Sequence, residues 1–365
     1  MNSQSYYRTL EPSNPVLYES KRNVRKSKYY AKKERGRSSN SSIDLVNNPY
    51  YLLGLPNEIR CLRDLIQYGY NYKGDKINIE RLRQSLPVLE EINEMIGMEQ
   101  LKNKVVDLVL YFIQNMFDKN EDYLHTVICG PPGTGKTHVS KLIAQLYADL
   151  GILKTNEFHI IQRTDLIGRY LGHTAAKTKE TLEHCLGGVM FIDEAYALAP
   201  NKQGGDTDSF SKEALDVLNE FLSVHKNDFV CIISGYEDEL ERTIFSINKG
   251  LKRRFAWKFV IDDYTSEQFV ELFHSMANRI GWTVSKNAIE PDFFKKNKSL
   301  FPYFGGDLET FITKCKFIHI RRIFGKESPN KIIEKEDIIQ ALEEHKEHRA
   351  EKEDKYKEYH QHIYM

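Results

Sequence analysis

Gly130-Pro131-Pro132-Gly133-Thr134-Gly135-Lys136-Thr137 fits the pattern G-x-x-x-x-G-K-[ST] at every fixed position. The residue types are those a phosphate cradle needs. Glycines let the backbone curl so that several N–H groups face inward onto phosphate oxygens. Lys136 stands where its ammonium reaches the β- and γ-phosphates, and Thr137 where its hydroxyl can bind Mg²⁺. A helix starting here adds its positive dipole end to the same anion site. The flanks agree. Residues 124–129 (Leu-His-Thr-Val-Ile-Cys) read as a short buried strand, and Val139, Leu142, Ile143, Leu146 and Tyr147 follow at helical spacing.

The chain has 365 residues, enough for two or three domains. An apolar fraction of 41% and a charged fraction of 28% describe a soluble globular protein. Formal charge is zero but unevenly placed: residues 1–40 hold ten Lys and Arg against three Asp and Glu, leaving 42 against 49 for the rest. Five scattered cysteines (61, 129, 185, 231 and 315) form no C-x-x-C pair, which points to a reducing, cytoplasmic setting rather than disulfides or zinc. The polar N-terminus has no signal-peptide pattern. The longest apolar run, around 105–113, is broken by Asp107 and is too short to span a bilayer, so no membrane partner is expected.

Along the chain, residues 1–43 read as a disordered basic arm containing the run Lys21-Arg22-Asn23-Val24-Arg25-Lys26-Ser27-Lys28. It is either a solvated tail or an arm for nucleic acid or an acidic surface. Residues 44–90 read as a small helical segment whose second helix, begun by Ile79, Leu82 and Leu86, is interrupted at Pro87. From 91 to 264 strands and helices alternate, the pattern of an α/β fold with a parallel sheet. Five strands are expected at 124–129, 158–163, 188–193, 229–234 and 257–261. An amphipathic helix at 214–225 places Leu215, Leu218 and Leu222 on one face. Over 265–347 a small all-helical lid is expected. Thr265 and Gln268 open its first helix with a capping box, followed by Phe269, Leu272, Phe273, Met276 and Ile280. Asp307 caps a helix through Phe317, and Glu336-Asp337 opens a last one. Residues 348–365 form a charged tail.

A second constellation is Gly188-Val189-Met190-Phe191-Ile192-Asp193-Glu194, four apolar residues running into two carboxylates. A buried strand would deliver both acids at its C-terminal end, where ligands of open α/β sheets sit. Asp193 is placed to hold Mg²⁺ through water beside Thr137, and Glu194 to orient or deprotonate the water that attacks the γ-phosphate.

With these residues in view, the chain resembles an AAA+ ATPase, and within that class the CbxX/CfxQ family, whose founding members are the red-type Rubisco activases. The carrying stretches are the phosphate loop, Gly168-Arg169-Tyr170-Leu171-Gly172-His173-Thr174-Ala175-Ala176-Lys177-Thr178, Gly187 to Tyr196, Ser234-Gly235-Tyr236, and Asn248-Lys249-Gly250-Leu251-Lys252-Arg253-Arg254-Phe255. They span about residues 91–264 in the family's order. The resemblance implies ATP and Mg²⁺ as cofactors, a ring-shaped homo-oligomer (a hexamer) and ATP hydrolysis that threads or remodels a protein substrate. It places Ile96-Gly97-Met98 near the adenine and Tyr170-Leu171-Gly172 in a central-pore loop. Arg254 falls on the arginine finger that reaches a neighbour's γ-phosphate, with Arg253 beside it as the alternative. Two positions depart from the family. Gly235 stands at the sensor-1 position with Ser234 as the nearest hydroxyl. Phe304-Gly305-Gly306-Asp307-Leu308 lacks the lid arginine, for which Lys314 is the nearest basic substitute. Two rival readings use the same ATP site: a nucleic-acid motor or loader with the basic arm on phosphates, and a nucleotide-gated scaffold with negligible turnover.

Overall fold

The computed structural model describes residues 50, 55–75, 77–168, 170, 172–199, 207–326, 328–347 and 349. The basic arm at 1–43 lies outside them, as does the charged tail apart from Arg349. Among the described residues, α1 (Leu62–Asn71), α2 (Ile79–Glu94) and α3 (Glu99–Ile113) precede the sheet. The sheet begins with β1 (Thr126–Cys129), α4 (Lys136–Asp149), β2 (Phe158–Ile160), α5 (Arg163–Leu166), α6 (Thr174–His184) and β3 (Val189–Ile192). It continues with α7 (Thr207–Val224), β4 (Val230–Gly235), α8 (Glu237–Arg242), α9 (Ile244–Ile247), α10 (Lys249–Arg254) and β5 (Trp257–Val260). The lid holds α11 (Ser266–Arg279), β6 (Thr283–Val284), α12 (Pro291–Asn297), α13 (Gly305–Ile323), β7 (Ile332–Ile333) and α14 over 335–347.

The five expected strands form one parallel sheet in the order β2-β3-β4-β1-β5. The inner strands β1, β3 and β4 are buried throughout because both faces are covered, the edge strands β2 and β5 are partly exposed, and alternate residues feed two separate cores. Ile128, Phe191, Ile232 and Phe259 point into one core, with Leu82, Leu101 and Leu146 of the N-terminal half and Phe269, Phe273 and Phe311 of the lid. Val127, Met190, Ile192, Cys231 and Ile233 point into the other, against Leu182, Leu215, Leu218 and Leu222. The leading helices, the sheet and the lid therefore share a core across the expected boundaries at 90 and 264. All five cysteines are free thiols. Among the described residues, no helix is long and apolar enough to cross a membrane.

The lid differs from its expected form chiefly in that it is not all-helical. β6 and β7 pair in parallel, Thr283 with Ile332 and Val284 with Ile333. A two-residue strand is too short to carry an alternating pattern, so only the distant partner reveals it. Pro87 does not end α2, which runs on to Glu94. Leu82, Leu86, Leu89 and Ile92 are buried along one face, and that packing outweighs the one backbone hydrogen bond a proline removes. Ile280 is exposed rather than packed, and α13 continues past Phe317 to Ile323.

The expected capping box at the lid's start is present. Gln268 N–H donates to Thr265 Oγ1 at 3.3 Å, and Thr265 N–H donates to Gln268 Oε1 at 2.9 Å. Asp307 lies in the first turn of α13 and accepts the Tyr303 N–H at 2.6 Å. Asp337 similarly accepts the Glu334 N–H at 2.9 Å at the start of α14.

Candidate nucleotide site

The phosphate loop joins β1 to α4, and the helix starts at Lys136 itself. Gly133 and Gly135 have φ of 73° and 89°, in the left-handed region that suits glycine. Thr134 Oγ1 donates to the Pro131 carbonyl at 2.7 Å and pins the loop internally. Lys136 Nζ lies at the loop's mouth, donating to the carbonyls of Gly130 (3.1 Å) and Pro131 (2.9 Å). Its ammonium also stands 5.2 Å from the centre of the Tyr236 ring. Burial pushes the Lys136 pKa down, against the opposing pull of Asp193 and Glu194.

Strand order explains what meets this loop. β4 lies between β1 and β3, so residues leaving all three converge at the sheet's C-terminal edge. Thr137 Oγ1 donates to Asp193 Oδ2 at 2.8 Å, linking the loop to the end of β3. Ser234, buried at the end of β4, donates to Asp193 Oδ1, which also accepts the Glu194 N–H at 3.1 Å. Ser234, next to Gly235, thus takes a polar role at the end of β3. One hydroxyl and one carboxylate, adjacent at the phosphate loop, fit Mg²⁺. That ion is bound through one or two protein oxygens plus substrate phosphates rather than by an all-protein cage.

Glu194 projects next in the chain, exposed and with φ of 49°. Strained backbone of this kind costs about 1–3 kcal/mol and clusters at functional sites. Tyr196 and Tyr236 stack beside it with ring centres 5.9 Å apart, and burial together with the Glu194 charge pushes the Tyr196 phenol up to about 12. Neither tyrosine was singled out by spacing. The only sequence signal was their place in the stretches resembling the family.

The lid closes on the loop through backbone. Gly305 N–H donates to Gly133 O at 3.2 Å, and the Tyr303 carbonyl oxygen lies 2.0 Å from where a Gly133 Cβ would stand. Gly135 has nothing within 4 Å of that position, so only its φ constrains it. Gly133→Ala is therefore expected to destabilise the nucleotide-free protein by about 2–4 kcal/mol, against about 1–2 for Gly135→Ala. Urea unfolding of the two variants checks this; equal losses would mean that the lid contact carries no weight. No arginine occupies 304–308. Lys314 donates to the Glu344 carbonyl at 3.0 Å, which ties α13 to α14.

Ile96 is half-buried against the first core, and Gly97 (φ 67°) lies against the Gln268 side chain. Arg254 is half-buried at the end of α10, donating to Ser223 Oγ and to the Gly250 carbonyl at 2.7 Å. Arg253 is exposed, and its side chain is hydrogen-bonded to no described residue. Tyr170 is 69% exposed, its ring edge-on to His173 at 5.7 Å, and Gly172 (φ 79°) turns the chain behind it. Leu171 and Arg169 lie outside the described residues. Arg163, at the start of the same connection, grips the segment after Glu194 through the carbonyls of Ala197 (2.5 Å) and Ala199 (3.2 Å).

Residues 126–262 match the family model described as "ATPase family associated with various cellular activities (AAA)". The chain is 36% identical over 270 residues to a cfxQ-like protein of Acanthamoeba polyphaga mimivirus, covering 73% of this chain and 66% of that one. It is 34% identical over 205 residues to the stage V sporulation protein K of Bacillus subtilis (strain 168), covering 54% and 62%. With the CfxQ homologue of Pyropia yezoensis it shares 33% identity over 262 residues, covering 69% of this chain and 85% of that one. The chain belongs to the AAA ATPase family, among its CfxQ-type members. Its ATPase domain is the one built around β1 and β3, and the matched residues contain Lys136, Thr137, Asp193, Glu194 and Arg254. The chain spans 66% and 62% of the first two relatives' lengths.

Proposed function

We propose that this chain is a Mg²⁺-dependent ATPase that assembles into a ring, a hexamer, and uses hydrolysis to thread or remodel a protein. The observation that carries the reading is the convergence of Lys136, Thr137, Asp193 and Glu194 on one edge of the sheet. Lys136 binds the β- and γ-phosphate oxygens. Thr137, and Asp193 through water, would hold Mg²⁺, which would supply charge neutralisation at those oxygens. Glu194 holds the attacking water and takes its proton. Arg254 of a neighbouring subunit meets the negative charge of the transition state.

Coupling to a protein runs through the Tyr170 connection. Arg163 joins the start of that connection to the backbone just after Glu194, so a shift at the hydrolysis site is transmitted to Tyr170. An exposed aromatic between glycines grips a polypeptide by apolar contact, with no need for a particular sequence.

The test is a trap. Tagged Glu194→Gln, incubated with ATP in native extract, is expected to retain a protein, and Glu194→Gln with Tyr170→Ala to lose it. Retention of nucleic acid instead, insensitive to Tyr170 but released by salt or by deleting residues 1–40, would overturn the threading reading in favour of a nucleic-acid motor.

A further inference from the structure

The two ends of the Gln268 side chain face different tasks. Oε1 accepts the Thr265 N–H at 2.9 Å, which identifies that end as the oxygen. Nε2 donates to no described residue, although it carries two N–H groups. The amide lies flat on Gly97: its carbon, nitrogen and oxygen each stand 3.1 Å from where a Gly97 Cβ would be. Gly97 and Met98 are consecutive left-handed residues, with φ of 67° and 60°. Their turn brings residues 96–98 against the first turn of α11.

Sheet topology says which part of a nucleotide reaches this corner. The carboxylates of Asp193 and Glu194 follow β3, on one side of β1, whereas Ile261 to Gln268 follow β5, on the other. With the γ-phosphate at Asp193 and Glu194, the base end of the nucleotide is directed toward the β5 side. The wall there is continuous from the phosphate loop. Ile261 N–H donates to Cys129 O at 2.8 Å, and its Cβ lies 2.9 Å from the position of a Gly130 Cβ. Asp262 accepts the Gln100 N–H at 3.3 Å, tying this strand exit to the segment holding Gly97.

We propose that Gln268 reads the nucleobase, donating an Nε2–H to N1 of adenine and so selecting ATP over GTP. N1 of adenine is an acceptor, whereas guanine carries a hydrogen there and would set donor against donor. A site built around such a bond rejects the mismatched base because a buried polar group is left unpaired. The inference rests on the reading of the chain as an ATP-binding protein.

Gln268→Glu isolates the donor. A carboxylate still accepts the Thr265 N–H, since a capping box takes Glu or Gln equally, but it offers no amide hydrogens. Binding of ATP and of GTP would be measured by calorimetry in a Glu194→Gln background, with the thermal midpoint of each protein. The expected result is an unchanged midpoint, ATP affinity lowered about tenfold and the ATP-to-GTP preference reduced by a similar factor. An unchanged preference in a folded Gln268→Glu protein would overturn this inference alone. Failure of the Glu194→Gln parent to bind ATP would overturn the ATP reading and this inference with it.

Discussion

Arg254→Ala is expected to lower ATP turnover by about 10³–10⁵-fold while leaving ATP affinity within a factor of two or so, the size of effect an arginine finger has on phosphoryl transfer. The reason for so large an effect is timing. The guanidinium meets charge that develops on the γ-phosphoryl oxygens only in the transition state, so its loss is felt in the rate and not in binding. Within its own subunit Arg254 is already oriented: Nε donates to Ser223 Oγ and Nη1 to the Gly250 carbonyl. Those bonds leave Nη2 and one hydrogen of Nη1 to be offered outward from α10. If the site is shared between subunits as proposed, mixing Arg254→Ala with Lys136→Ala subunits is expected to restore part of the activity. In one of the two orders in which such subunits meet, an intact loop then faces an intact arginine. No rescue at any ratio would count against a shared site. Arg253→Ala is the control, since Arg253 is exposed and adjacent. A large kinetic loss there, with only a stability loss in Arg254→Ala, would transfer the finger to Arg253 and leave Arg254 as a brace between α7 and α10.

Much of this architecture was legible because its signals are local. A strand buried on both faces must be apolar throughout, so Val127-Ile128-Cys129 and Val189-Met190-Phe191-Ile192 announce themselves. A capping box needs only Thr265 and Gln268, three residues apart. The phosphate loop and the two acids after β3 are each contiguous. What stayed hidden depends on partners far along the chain. Ser234 meets Asp193 only because β4 lies between β1 and β3, which no periodicity reveals. The Tyr303 carbonyl over Gly133 is a backbone contact and leaves no mark on side-chain type. The β6–β7 pair brings together two residues from each of two segments nearly fifty apart. Pro87's own chemistry predicts a break, whereas the burial of Leu82, Leu86, Leu89 and Ile92 carries α2 through it. The tyrosines flanking Glu194 were visible as letters, but their stacking depended on where β4 ends.

Glu194→Gln is the substitution expected to separate binding from chemistry. ATP affinity should be retained, because in the proposed site the loop and Lys136 hold the phosphates while Thr137 and Asp193 would hold Mg²⁺, and the change touches none of them. Turnover should fall by about 10²–10⁴-fold, the usual contribution of a positioned general base. Gln has the same shape and can still accept a hydrogen bond from water, but it cannot take the proton. The left-handed backbone at Glu194 (φ 49°) is no more strained for Gln than for Glu. Single-turnover hydrolysis and equilibrium ATP binding, measured on the same samples, check the pair of outcomes. Turnover at the wild-type rate would remove Glu194 as the base. The comparison also tests whether the chain is a motor or a nucleotide-gated scaffold, because a scaffold would hydrolyse no faster in the wild type than in Glu194→Gln. On the proposed mechanism, cationic help at the γ-phosphate comes from Lys136 within the subunit and from Arg254 across the interface. Hydrolysis should therefore depend on assembly more steeply than nucleotide binding does, with turnover per subunit falling on dilution while ATP affinity holds.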